Sequence, residues 1–217
     1  MNNKKIKIYI VDYGFGNITS VENAIEYLGY EPVICKSPED ITKAKHLILP
    51  GVGSFESGID SLKKKGWIKP IKKHVENENF LFGICLGMQL MFEKGKNEKN
   101  NNDINGLAFF EGVCEKFFSE TNIKLQLPHI GFNKVEKVNS PLWNEIPDGE
   151  YFYFVHSYRI KNISKSYNVC QTLYGEKFIS YIEKKNVFGS QFHPEKSHKN
   201  GLKLLKNFCE LRWWLRE

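Results

Sequence analysis

Phe80-Leu81-Phe82-Gly83-Ile84-Cys85-Leu86-Gly87-Met88-Gln89-Leu90 passes from an apolar strand straight into a helix. The strand half, residues 80–84, carries no polar alternation, so it belongs to a strand covered on both faces, as in a parallel sheet. The junction Gly83-Ile84-Cys85-Leu86-Gly87 has the G-x-S-x-G form of a nucleophile elbow, with sulfur in place of oxygen. A tight strand-to-helix turn needs small residues on both sides of its central residue, because the strained backbone leaves no room for Cβ atoms. The turn also sets Cys85 near a helix N-terminus, whose partial positive charge favours thiolate over thiol. Alone, a G-x-C-x-G is better explained as a buried cysteine between two turn glycines, so the flanking sequence has to decide.

Residues 6–11 read as a first strand, and Asn17 is placed to cap a helix in which Val21, Ala24, Ile25 and Leu28 recur at helical spacing until Gly29. Residues 31–35 and 46–49 are further strands. Pro50-Gly51 closes the second of these, and Ser54 opens a helical region to about Asn77 with a break near Gly66. Strands alternating with helices mean a parallel sheet flanked by helices. Residues 94–105 turn to Lys, Asn, Glu and Gly, the composition of a solvated loop. Beyond it, β-type runs at 113–118, 131–138, 151–156, 167–173, 178–182 and 186–191 suggest strands paired largely antiparallel at one side of the sheet. A last helix, 201–215, places Leu202, Leu205, Phe208, Cys209 and Trp213 on one face. No repeat or linker is visible, so one α/β domain over residues 1–217 is expected.

The 217 residues are 41% hydrophobic and 14% aromatic, enough for a full core, which excludes disorder over the whole length. The 31 Lys and Arg outnumber 25 Asp and Glu for a net charge of +6, spread through solvated runs such as Lys63-Lys64-Lys65. That pattern lacks the Arg and aromatic interleaving of a nucleic-acid surface. No apolar run reaches the roughly 18 to 20 residues that cross a bilayer, and Met1-Asn2-Asn3-Lys4-Lys5 leads too promptly to Asp12 for a secretory signal. A cytoplasmic protein with neither a membrane nor a nucleic-acid partner is expected. Cys35, Cys85, Cys114, Cys170 and Cys209 are odd in number and form no C-x-x-C pair, so they suggest neither a disulfide framework nor a metal cluster. Most are expected to be buried small hydrophobes.

A cysteine nucleophile needs a base, and the base needs a group to hold its tautomer. Gln191-Phe192-His193-Pro194-Glu195, just past an apolar strand, offers His193 and Glu195 for those roles within one turn. Of the other histidines, His46, His74 and His198 read as packing, surface or helix-start residues, while His129 and His156 sit in runs able to face the site. Acyl transfer also needs N–H groups aimed at a developing oxyanion, and the glycine-flanked Gly51-Val52-Gly53 can supply one. Gly14-Phe15-Gly16 does not extend to a dinucleotide fingerprint. Thr19 stands at the third glycine position, and no acid ends the second strand.

Together, Gly83-Ile84-Cys85-Leu86-Gly87-Met88-Gln89 and Gln191-Phe192-His193-Pro194-Glu195 resemble the two signatures of class I glutamine amidotransferases, whose thiolate hydrolyses the side-chain amide of glutamine. More narrowly, Asp12-Tyr13-Gly14-Phe15-Gly16-Asn17, Leu49-Pro50-Gly51-Val52-Gly53, Pro128-His129-Ile130-Gly131-Phe132-Asn133, His156-Ser157-Tyr158 and Lys196-Ser197 resemble the glutaminase-subunit family of imidazole glycerol phosphate synthase, in that family's order. The resemblance implies the class I, flavodoxin-like fold: a mixed, mainly parallel sheet flanked by helices, with antiparallel strands in the C-terminal half. It implies Cys85 as nucleophile, His193 as general base and acid, and Glu195 as the residue orienting His193. It also implies Gly51, Val52 and Gly53 as the oxyanion strand, with the Leu86 N–H as second donor. Gln89 and the backbone at Ser157 and Tyr158 would hold L-glutamine, with no metal or organic cofactor.

The resemblance further implies a (β/α)8 cyclase partner in a heterodimer, which receives the ammonia in histidine biosynthesis. Gly14, Phe15, Gly16, Asn17, Phe132, Tyr153 and Lys196 resemble positions on the family's docking face. Phe132 and Ile130 stand where the family usually has Trp and Met. The 94–105 loop lacks the family's compact acidic segment and offers Glu98 instead. Paralogous subunits that supply ammonia for sugar amidination in surface-polysaccharide pathways are the alternative. A stand-alone cysteine hydrolase or peptidase is a reading from another class, separated by an assay for glutamate released from glutamine. A non-catalytic binding module would have no need of Cys85, His193 and Glu195 together.

Overall fold

The computed structural model describes residues 5–117, 125–164 and 166–212. In chain order it contains β1 (Lys7–Val11), α1 (Ile18–Tyr27), β2 (Glu31–Cys35), β3 (His46–Leu49), α2 (Phe55–Lys64), α3 (Ile68–Glu76), β4 (Phe80–Ile84) and the short helix α4 (Leu86–Leu90). Then come β5 (Phe92–Lys96), β6 (Asp103–Asn105), β7 (Phe110–Lys116), β8 (His129–Val135), β9 (Glu150–His156), β10 (Tyr158–Lys161), β11 (Asn168–Tyr174), β12 (Glu176–Lys184), β13 (Val187–Ser190) and α5 (His198–Cys209). The central sheet runs β11-β12-β13-β4-β3-β1-β2. From β2 to β13 its neighbours are parallel, and β12 and β11 add antiparallel at the far edge.

The unbroken apolar character of residues 80–84 follows from this arrangement. Phe80, Phe82 and Ile84 join Val21 and Ile25 of α1 and Leu204, Leu205 and Phe208 of α5 in one buried layer. Leu81 faces the opposite layer, with Ile59 and Leu62 of α2 and Ile71 of α3. A central strand with helices over both faces has no solvated side on which a polar residue would be favoured. Ser54 starts α2 as its sequence position suggests, accepting from the Ser57 N–H at 3.2 Å. Asn17 occupies the first cap position of α1 without a side-chain bond to the helix backbone, and its Oδ1 instead accepts from Ser20 Oγ at 2.9 Å.

The C-terminal half departs from the expected pattern. Only β11, β12 and β13 extend the central sheet. The remaining strands form a separate four-stranded sheet, β10-β7-β5-β6, and a two-stranded ladder, β8-β9. Residues 94–105 are not wholly loop: β5 and β6 pair there, held by Lys96 Nζ to Asp103 Oδ1 at 2.6 Å. The helix after the elbow ends at Leu90, and Phe92 already begins β5. Of the expected strand 113–118, residues 113–116 belong to β7, which begins at Phe110; Phe117 follows the strand and Phe118 is outside the described residues. The last helix ends at Cys209, and Trp213 and the rest of the run to 215 are also outside them. All five cysteines are free and buried. Among the described residues no helix is long and apolar enough to cross a membrane.

Parallel strands end on the same side. The segments after β1, β3, β4 and β13, which carry Gly14, Gly51, Cys85 and His193, therefore gather at one edge, where open α/β sheets place their ligand sites.

Candidate active site

Cys85 is the hinge between β4 and α4, with φ 53° and ψ −110°, a left-handed conformation that a side-chain-bearing residue rarely adopts. Such a conformation costs about 1–3 kcal/mol and persists only where its surroundings enforce it. The two glycines do so by close approach. A Cβ on Gly83 would stand 2.7 Å from the Met88 nitrogen, and one on Gly87 would fall on the Leu49 carbonyl oxygen. Cys85 is itself almost fully buried. Its Sγ lies 3.9 Å from the Val155 carbonyl and 3.6 Å from Gln191 Nε2. Because α4 is only five residues long, its dipole contributes little to the sulfur, which depends on these discrete neighbours instead.

His193 and Glu195 lie in the turn after β13, both side chains buried, with Nδ1 of His193 2.8 Å from Glu195 Oε1. The carboxylate accepts, so Nδ1 carries a proton and Nε2 is the nitrogen free to exchange one. Nε2 is buried without a hydrogen-bond partner, as is Glu195 Oε2. Burial alone would depress the imidazole's pKa, yet the neighbouring Cys85 sulfur and the Glu195 carboxylate outweigh it and hold the pKa well above the ordinary histidine value. The turn is fixed from behind: the His193 N–H donates to Tyr153 O at 2.9 Å, and Ser197 Oγ donates to His193 O at 2.6 Å while accepting from the Tyr153 N–H at 2.9 Å.

Gly51-Val52-Gly53 leaves β3 beside this group. Its Gly51–Val52 peptide is turned with the carbonyl inward, where Gly51 O accepts from the Leu86 N–H at 3.3 Å, and with the Val52 N–H donating to Phe15 O at 3.0 Å. Both N–H groups expected to hold an oxyanion are thus engaged within the protein. Beside them the Tyr13 hydroxyl is buried without a partner.

Gln89, on α4, donates from Nε2 to Tyr158 O at 3.3 Å and to Gln191 Oε1 at 2.9 Å. Tyr158 O accepts a second bond from His156 Nδ1 at 2.7 Å, and Ser157 O accepts from the Phe117 N–H at 3.0 Å. The Tyr158 carbonyl, expected to be among the groups holding glutamine, is therefore already saturated by the protein. Glu98 stands against the Tyr158 phenol and, after burial, is the main cause of that phenol's raised pKa. This brings the acid of the 94–105 segment to the same group.

The docking candidates fall around the H-P-E turn. Phe132 on β8 pairs with Tyr153 on β9, their rings 5.5 Å apart, and Phe132 stacks on His198 at 5.1 Å. Lys196 Nζ lies 6.0 Å over the Tyr153 ring. Ile130 and Tyr151 are exposed on the same face of the ladder. Gly14 N–H donates to Asp12 Oδ1 at 3.2 Å in the loop that supplies Phe15 O and leads through Gly16 to Asn17. Residue-pattern reasoning passed over the side chains of Tyr13 and Gln191, though both stand inside the quoted motifs. It left His129 and His156 undecided. Their rings bond each other at 3.1 Å across the β8-β9 ladder, and His156 reaches the site only through Tyr158 O, which Gln89 shares.

A thiol on a strained elbow, within the field of an imidazole held by a buried carboxylate, is the constellation of a cysteine-dependent acyl-transfer enzyme. The profile of the family "Glutamine amidotransferase class-I" matches residues 9–211, and the chain belongs to that family. Two solved structures share the fold: a glutamine amidotransferase, TM-score 0.71 at 19% identity over 94% of this chain and 97% of that one, and PurLQS from Thermotoga maritima, TM-score 0.72 at 20% identity over 94% and 98%. Similarity is much higher to imidazole glycerol phosphate synthase subunit HisH 2 of Methanococcus maripaludis, 42% identical over 94% of this chain and 98% of the relative. The HisH subunits of Caldanaerobacter subterraneus, 43% identical, and Campylobacter jejuni, 41%, match over the same share of the chain and 98% and 100% of their own lengths. Within the class, the chain belongs with these HisH glutaminase subunits.

Proposed function

We propose that this chain, acting as one domain in the cytoplasm, hydrolyses glutamine at Cys85 and passes the ammonia to a (β/α)8 cyclase docked over the site, in histidine biosynthesis. The observation that carries the chemistry is the 2.8 Å His193–Glu195 bond, which leaves the unpartnered Nε2 of His193 as the base. Nε2 takes the Cys85 proton, the thiolate attacks the glutamine δ-carbonyl, and a tetrahedral oxyanion forms. His193 then protonates the departing ammonia, and a water activated by the same Nε2 hydrolyses the γ-glutamyl thioester, releasing glutamate. Gln89 and the Ser157-Tyr158 stretch bind the amino acid, with the Tyr158 carbonyl acting as support for Gln89.

The Gly51–Val52 peptide supports regulation of the same reaction. Its two ends are one rigid plane, so a single rotation withdraws Gly51 O from the Leu86 N–H and swings the Val52 N–H from Phe15 O toward the site. Both oxyanion donors are released together, and Gly51 permits the turn without a Cβ penalty. Because Phe15 belongs to the Gly14 to Asn17 docking loop, a partner that shifts this loop weakens the bond holding the resting state.

The test is glutamate release by the chain with its cyclase. Cys85→Ala is expected to abolish it while free ammonium salts still support the partner's reaction, and undiminished release would remove Cys85 from the mechanism. A second reading keeps the chemistry but gives the ammonia to a sugar-amidating synthase. It rests on Phe132 and Ile130, which depart from the family's usual residues on the β8-β9 face, and stimulation only by that synthase would establish it.

A further inference from the structure

We propose that Gln191 is a further catalytic residue, whose side-chain N–H donates to the Cys85 sulfur and stabilises it as the attacking thiolate. The inference rests on the assignment of Cys85 as nucleophile and adds a group to its surroundings.

The direction of the Gln191 amide is forced by the atoms around it. Tyr158 O is a backbone carbonyl and can only accept, so the Gln89 atom 3.3 Å from it is the amide nitrogen. The same nitrogen lies 2.9 Å from Gln191, whose facing atom must then be the oxygen. The other arm of the Gln191 amide, 3.6 Å from Sγ, is therefore NH2, a donor. Gln191 is fully buried, so it has no water to turn toward. The anchor is secured in the same way. His156 Nδ1 donates to Tyr158 O at 2.7 Å, and its Nε2 accepts from His129 Nδ1 at 3.1 Å, so each ring is held in one neutral tautomer. Burial pushes both imidazoles' pKa values down, to about 3 for His156 and about 4 for His129, which keeps that order in place at neutral pH.

Two groups thus compete for the sulfur. The Val155 carbonyl, 3.9 Å away, can accept from the S–H of a thiol but repels a thiolate; the Gln191 N–H, 3.6 Å away, favours the anion. Hydrogen bonds to a charged form shift its equilibrium toward that form. When His193 removes the proton, the sulfur loses its reason to face Val155 and gains a donor on the side of Gln191.

The test is the pH dependence of Cys85 alkylation by iodoacetamide in the full chain, read at the Cys85 peptide by mass spectrometry, beside steady-state glutaminase kinetics with the cyclase. Gln191→Met keeps the volume and removes the donor. Gln191→Asn keeps an amide but withdraws it by one methylene. Each is expected to move the alkylation profile up by about one pH unit and to lower kcat by about tenfold with little change in KM. A role in packing alone would lower the melting temperature and leave the profile in place. A wild-type alkylation profile in either folded variant would overturn the proposal. Alkylation needs no glutamine, so this outcome is distinct from failure of the glutaminase assignment, which the Cys85→Ala experiment reads.

Discussion

Replacing Glu195 by Gln changes one charge at nearly constant shape, and its effect can be worked from the contact it disturbs. Among the described residues the Glu195 carboxylate bonds His193, at 2.8 Å, with both side chains almost wholly out of solvent, and its second oxygen has no hydrogen-bond partner there. A hydrogen bond to a charged group contributes about 1.5–3 kcal/mol, and a neutral amide oxygen in the same place about 1 kcal/mol. The difference, about 1–2 kcal/mol, falls on the imidazolium formed when Nε2 takes the Cys85 proton, and corresponds to a roughly 5- to 30-fold fall in kcat. Because the carboxylate helps to raise the His193 pKa, its loss should also move the apparent ionisation of the Cys85–His193 pair to lower pH. The assay is glutamate release with the cyclase bound, across pH, for wild type, Glu195→Gln and His193→Ala. His193→Ala should lose the larger factor, about 10² to 10⁴. An unchanged rate and pH profile in Glu195→Gln would refute the orienting role.

Other outcomes follow from packing and charge. Gly87→Ala places a methyl group on the Leu49 carbonyl oxygen and should lower the melting temperature markedly and abolish activity, with wild-type melting counting against the enforced elbow. His46 and His74 are buried with pKa values near 4, chiefly through burial, so between about pH 6.5 and 4 the unfolded chain binds protons that the folded chain refuses. Their contribution is present above pH 6.5 and lost as pH falls toward 4, up to about 3 kcal/mol each, readable as falling stability in urea titrations, and stability flat across this window would contradict it. Phe132→Asp should weaken cyclase binding, measured by calorimetry, while leaving the fold intact, and unaltered affinity would move the docking face elsewhere.

What the sequence disclosed follows from which interactions are local. The apolar run at residues 80–84 announces two-sided burial, and the glycines around Cys85 announce close approach, because each property is written in the residues that need it. The edge strand β6 and its neighbour β5 read as loop because Lys94, Lys96 and Asp103 are charged; their pairing across the strands, 2.6 and 3.4 Å, is what makes the charge compatible with a sheet. β10 was hidden for a similar reason: its Arg159 is fully buried, with NH1 2.7 Å from Glu115 and Nε 2.8 Å from Glu176, partners remote in sequence. At the site, the His193–Glu195 contact was legible from the spacing of the H-P-E turn and the elbow at Cys85 from its flanking glycines. The direction of the Gly51–Val52 peptide was not, since glycine permits both orientations, and neither was the Gln191 amide, whose orientation is dictated by a carbonyl on another strand.

In the resting chain the two expected oxyanion donors are engaged within the protein, and docking is expected to rotate the Gly51–Val52 peptide and release them. Two hydrogen bonds, Val52 N–H to Phe15 O and Leu86 N–H to Gly51 O, oppose the rotation. At about 1 kcal/mol each they hold the active orientation to a few per cent of molecules, and a missing oxyanion donor is worth about 10² to 10³ in rate. The most direct measurement is glutamate release by the chain alone, with the cyclase, and with the cyclase and its ribonucleotide. A slow rate alone that rises about 30-fold or more on docking, in kcat rather than KM, is the expected result. Full activity in the isolated chain would contradict it.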